Sequence, residues 1–124
     1  MSIEEYYQSQ LAAVGLSPYV QSYDIELDKR GPRLGLIRGE IRFLDGSLLF
    51  YRELVDLERE PVRAMYSYHY QKADSLLIFR YDDTPHHPDL PGFPHHKHSE
   101  TEKNVVRANA PDLSRVLREI ESHF

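Results

Sequence analysis

Histidine is unevenly spread along this chain. There are seven in 124 residues, and His69, His86, His87, His95, His96 and His98 all fall in one stretch, with the doublets set in Pro85-His86-His87-Pro88 and Phe93-Pro94-His95-His96-Lys97-His98. Imidazole exchanges a proton near neutrality. Two of them flanking an RNA phosphodiester can therefore take the proton of a ribose 2′-OH and return one to the departing 5′ oxygen. Arg80 and Lys97 are cations suited to stabilising charge that builds on the phosphate, and Tyr68, Tyr70 or Phe93 could stack an unpaired base. In this reading His69 or His86 is the general base, His95 or His98 the general acid, and no cofactor is needed.

The same residues support two other readings. His95-x-x-His98 or His96-x-His98, joined by His86 and by Asp82 or Asp83, could supply three or four N/O ligands to a divalent metal such as zinc. The chain would then be a non-catalytic binding module whose loop holds a metal or docks a partner protein, or a metal-dependent nuclease or phosphotransferase. Alternatively the loop is exposed, its side chains solvated or packed. Under that reading His69 is a hydrogen-bonded strand residue, Arg80 and Asp82 pair across a sheet face, the tyrosines pack the core, and Arg38 and Arg42 solvate a face. Polyproline geometry at ~3.1 Å per residue would hold the two doublets roughly 28 Å apart. Pro91-Gly92 is a preferred type II turn centre, however, and predicts a loop that folds back and brings them together.

The elements that must position these groups follow from periodicity. Ser2-x-x-Glu5 is a capping box, and Ile3, Tyr6, Tyr7, Leu11 and Val14 follow at helical spacing, predicting a helix over about 3–14 that stops at Gly15. The period then drops to two over 19–28 and 33–44. Asp45-Gly46 predicts a two-residue hairpin that sets Arg38 against Glu53, Glu40 against Tyr51 and Ile41 against Phe50, with Ile37, Ile41, Phe43, Leu48, Phe50 and Leu54 on the buried face. A second hairpin, 62–71 with 76–83, turns at Ala73-Asp74 and sets His69 against Ile78, with Tyr66, Tyr68 and Tyr70 on one face. Prolines at 85, 88, 91 and 94 make 84–103 irregular. A short strand near Val105-Val106 precedes a helix with Asn109 as its cap, Pro111 in its first turn and an apolar stripe of Leu113, Val116, Leu117, Ile120 and Phe124; His123 lies at its end. The expectation is one α+β domain over 1–124: an N-terminal helix, an antiparallel meander of about five strands, an ordered His/Pro-rich loop, and a C-terminal helix packed on the sheet.

Composition narrows the classes. At 40% hydrophobic and 28% charged the chain is an ordinary globular one. Without cysteine, disulfides, thiolate zinc sites and thiol nucleophiles are excluded. No apolar run reaches the length of a spanning helix and the N-terminal stretch is acidic, so neither a membrane span nor a secretory signal is expected. The formal net charge is −5, and protonating every histidine would bring it to +2. Any hold on nucleic acid must rest on a local patch.

The segments Tyr68-His69-Tyr70-Gln71, Leu77-Ile78-Phe79-Arg80-Tyr81-Asp82-Asp83, Pro85-His86-His87-Pro88 and Phe93-Pro94-His95-His96-Lys97-His98 together resemble the TumE family. These are small toxin-like proteins of bacterial and archaeal toxin–antitoxin pairs. The resemblance is strongest over residues 66–98. It implies a cytoplasmic toxin, an endoribonuclease acting on RNA, held by a cognate helix-turn-helix antitoxin, alone or as a homodimer. Carried over residue by residue, the family motif points to His69, Arg80, Asp82, His86, His87, His95, His96, Lys97 and His98. Among these Asp82, His87, His96 and Lys97 would contact substrate alongside Tyr68, Tyr70 and Phe93.

Overall fold

A computed structural model describes residues 1–83, 96–99, 105–107 and 111–124, with backbone only for 96 and 105–107. The element order is α1 (Ile3–Gly15), β1 (Val20–Gly31), β2 (Leu34–Phe43), β3 (Leu48–Asp56), β4 (Arg63–Gln71), β5 (Leu77–Asp82), β6 (His96–Ser99), β7 (Val105–Arg107) and α2 (Leu113–Glu121). The strands form one seven-stranded sheet in sequence order, each antiparallel to the next. This is the expected α+β meander: β7 is the short strand expected near Val105-Val106, whereas β6 falls within 84–103, a stretch expected to be irregular. β6 begins two residues after Pro94, where backbone donors are again available for a ladder.

Both helices cover one face of the sheet. The capping box is closed at both ends: Glu5 N–H donates to Ser2 Oγ at 3.1 Å, and Ser2 N–H donates to Glu5 Oε1 at 3.0 Å. Ile3 and Val14 are buried, with Tyr6, Tyr7 and Leu11 packed against the core as their spacing predicts. α2 starts at an Asp112 cap, its carboxylate accepting from Arg115 N–H at 2.8 Å, and buries Leu113, Val116, Leu117 and Ile120. The cap is thus Asp112 and not the expected Asn109, which lies outside the described residues, and Pro111 stands before the helix and not in its first turn. Phe124 lies beyond α2 and stacks on Tyr19 with ring centroids 4.6 Å apart.

The β2–β3 turn differs from expectation by one residue, and that residue decides the sheet. Phe43 N–H donates to Ser47 O at 2.9 Å, so the loop is three residues long, and Gly46 takes φ +86°. A type I turn closed by a left-handed residue and a bulge has this form. Arg38 therefore faces Arg52 in place of Glu53, Glu40 faces Phe50 in place of Tyr51, and Ile41 faces Leu49. Because successive side chains alternate faces, the shift turns all of β3 over. Leu49, Tyr51, Glu53 and Val55 enter the core, whereas Phe50 comes out.

The β4–β5 turn repeats the device without glycine. Lys72 N–H donates to Leu76 O at 2.8 Å and Ser75 takes φ 72°. With a bulge beyond it, His69 faces Arg80 in place of Ile78, and Tyr70 faces Phe79. This slip is even-numbered along most of the strand. Tyr66, Tyr68, Tyr70 and Phe79 therefore keep the buried face assigned to them, while Ile78 packs against the core instead of the opposite face.

Candidate functional site

The face turned away from the helices carries two adjacent rungs of polar side chains. One runs Asp24, Glu40, Phe50, His69, Arg80, His98 across six strands; the next runs Glu26, Arg38, Arg52, Ser67, Asp82. The face is open over β1 to β4, where an open cavity of about 340 Å³ is lined by Asp24, Glu26, Arg38, Glu40, Phe50, Arg52, Ser67 and His69. It closes towards β5 and β6, where Asp82 is 1% and His98 6% exposed.

His69, Arg80 and His98 thus stand side by side on three neighbouring strands. Adjacent strands are about 4.8 Å apart, so the two histidine backbones are about 10 Å from each other with the arginine between them. Asp82 ties the far end together: its Oδ2 lies 3.1 Å from Arg80 Nε and 3.8 Å from His98 Nε2. His69 Nε2 donates to Gln71 Oε1 at 3.1 Å. An amide oxygen only accepts, so in the tautomer that donates from Nε2 it is Nδ1 that is left to accept. Phe50 lies beside it, 6.2 Å between ring centres.

Other predicted residues are placed elsewhere. Tyr68 and Tyr70 are 0% and 1% exposed on the helix-covered face, so neither ring is presented to a base; among the described residues the aromatic ring on the outer rungs is Phe50, at 37%. Lys97 also points to the helix side, where Nζ donates to Glu119 Oε2 at 2.9 Å and sits 5.0 Å from the Tyr81 ring centre. Its neighbour His98 alternates to the outer face. His86, His87, Phe93 and His95, and the side chain of His96, lie outside the described residues. Of the candidate zinc ligands His98, Asp82 and Asp83 can therefore be placed, and no group of three His, Cys, Asp or Glu among the described residues could hold a metal.

The sequence reading also missed a cluster on the inner face. The buried Glu53 carboxylate accepts from Tyr6 Oη at 2.7 Å and Gln10 Nε2 at 2.9 Å on Oε1, and from Tyr68 Oη on Oε2. Tyr51 Oη donates to Gln10 Oε1 at 2.9 Å, and Arg63 Nη1 donates to Tyr68 Oη at 3.0 Å and to the Pro111 carbonyl. Burial, and next the Glu53 charge, push the Tyr6, Tyr51 and Tyr68 phenols well above the ordinary tyrosine range. A buried carboxylate meeting three donors is satisfied, and it pins α1 to β3 and β4.

What sequence reasoning also missed is the company that Arg38 keeps. The register of β1 against β2 sets Asp24 opposite Glu40, and the one-residue shift in the β2–β3 turn sets Arg38 opposite Arg52. Like charges opposite one another destabilise a sheet. The signal was a choice between a two- and a three-residue Asp-Gly loop, which local sequence does not decide.

No helix among the described residues is long and apolar enough to cross a membrane. No curated protein and no solved structure matches the chain. The family model described as Toxin TumE matches residues 10–124, which takes in the second half of α1, every strand of the sheet, α2 and the His69–Arg80–His98 rung. The chain belongs to the Toxin TumE family.

Proposed function

We propose that this toxin is a metal-independent endoribonuclease, the toxin of a type II pair, and that the His69–Arg80–His98 rung is where RNA is cut. The single observation that carries the reading is the placement of two histidines on either side of an arginine on one sheet face. His69, whose Nδ1 is the acceptor, takes the proton of a ribose 2′-OH as its oxygen bonds to phosphorus. His98 gives a proton to the 5′ oxygen as the P–O5′ bond breaks. The products are a 2′,3′-cyclic phosphate and a 5′-OH. Arg80 stabilises the charge gathering on the non-bridging oxygens. Asp82 is a positioning residue: its Oδ2 pairs with Arg80 Nε at 3.1 Å and stands 3.8 Å from His98 Nε2. A toxin family implies an antitoxin partner, and the partner we propose is one with a helix-turn-helix domain.

The test is cleavage of a long single-stranded RNA by the purified chain, with and without EDTA, beside His69→Ala and His98→Asn. Cleavage resists EDTA and falls by about 10²–10⁴ in each variant, the contribution expected of a general acid or base. The melting temperature of His69→Ala, a half-buried residue, stays close to the parent's. Cleavage at the parental rate in either variant overturns the assigned roles. Loss of cleavage in EDTA overturns metal independence, and no cleavage in any lane favours a binding module.

A further inference from the structure

The cavity beside the rung has a composition that phosphate binding alone does not explain. Its lining combines an acidic pair, Asp24 and Glu40, with a basic pair, Arg38 and Arg52, and with the outward ring of Phe50. Each pair consists of like charges directly opposed on neighbouring strands. Among the described residues no hydrogen bond or ion pair joins any of these four side chains to another group. Glu26 lies across from Arg38 without an ion pair within 4 Å. Two such conflicts side by side cost stability, and a ligand with complementary charge relieves both. The ligand must carry hydrogen-bond donors at one end and an anion at the other, with a flat apolar surface between. Glu40 and Arg38 are two residues apart on β2, about 7 Å along the strand.

Resting on the reading of this face as an RNA site, we propose that the cavity is a guanine-selective subsite next to the scissile phosphate. Phe50 stacks the base. Glu40, with Asp24 behind it, accepts from the guanine N1–H and N2–H₂, two adjacent donors that match the two oxygens of a carboxylate. Adenine and cytosine place a ring acceptor beside their amino group on that edge, and uracil offers a single N–H between two carbonyls, so each sets a lone pair against the carboxylate. Arg38 and Arg52 hold an adjoining phosphate. Phe50 neighbours His69 on the rung, so the stacked base belongs to a nucleotide flanking the cut.

Calorimetric titration with nucleoside 3′-monophosphates tests this without requiring turnover. Guanosine 3′-monophosphate binds about tenfold or more tighter than the adenosine, cytidine and uridine counterparts, the discrimination that hydrogen bonds to a charged acceptor supply. Glu40→Gln abolishes the preference yet melts at or above the parental temperature, because it relieves the repulsion with Asp24. Phe50→Ala weakens all four. Equal affinities, no measurable binding of any of them, or a guanine preference that survives Glu40→Gln overturns the proposal. A preference that depends on Glu40 in a protein that cuts no RNA would uphold the subsite and sink the nuclease reading. RNA cleavage without any preference would do the reverse.

Discussion

Alternation along β6 assigns Lys97 and His98 opposite tasks although they are adjacent. His98 lies on the outer face with Asp82 and Arg80, while Lys97 crosses to the helices and anchors Glu119, which also accepts from Tyr81 Oη at 2.6 Å. A lysine held there does not reach a phosphate on the outer face. Lys97→Met is therefore expected to leave RNA cleavage unchanged while lowering stability by at most about 1 kcal/mol, since the pair is partly exposed. Loss of cleavage at parental stability, measured by denaturant titration alongside the RNA assay, would restore Lys97 to the site. Residue types were legible in the sequence here, and the roles of His69, Arg80 and His98 could be guessed from them. Which side chains face one another was not, because that depends on pairing between strands.

At the scale of elements, two three-residue turns set that pairing. The sequence Leu48-Leu49-Phe50-Tyr51-Arg52-Glu53-Leu54-Val55 offers apolar residues on both faces, so alternation alone does not choose between them. Glu53 argues locally against the face that is in fact buried. Its compensation comes from Tyr6 and Gln10 on α1 and from Tyr68 on β4, which no local pattern contains. Tertiary partners overrode the local pattern, and the Arg38–Arg52 pair came with the register they fixed. α1 and the first five strands were legible, since their caps and periods are local; the cap of α2 and the strand β6 were not.

The same cluster makes stability depend on alkaline pH. Burial and the Glu53 charge raise the phenols of Tyr6, Tyr51 and Tyr68, drawn from three elements, above the unfolded value near 10. A raised folded value means the folded state binds more protons than the unfolded one. The contribution is complete below about pH 10 and is lost as pH climbs towards the folded values. The melting temperature should hold level from pH 7 to about 9.5 and fall beyond about pH 10. A level profile to pH 11.5 would mean that the network does not couple the phenols to folding.

For the molecule as a whole, the charge of −5 sets the terms on which it can hold RNA. The outer face is two-signed, acidic at its β1 edge and basic where Arg38, Arg52 and Arg80 stand. Arg42 joins them on this face, and these four arginines are few enough that electrostatics supply a modest share of affinity and contacts to bases must supply the rest. The small core of an α+β domain spends both helices on one face, leaving the other free to carry the polar rungs.

The most direct test of the account is the identity of the ends that the purified chain leaves on a short RNA. Mass spectrometry of the fragments, run beside an oligonucleotide with every ribose replaced by 2′-deoxyribose, reads the attacking group itself. The account predicts 2′,3′-cyclic phosphate or its hydrolysis product on one fragment, 5′-OH on the other, and an intact deoxy strand. Fragments with 5′-phosphate ends, or a deoxy strand cut as fast as the RNA, would contradict it.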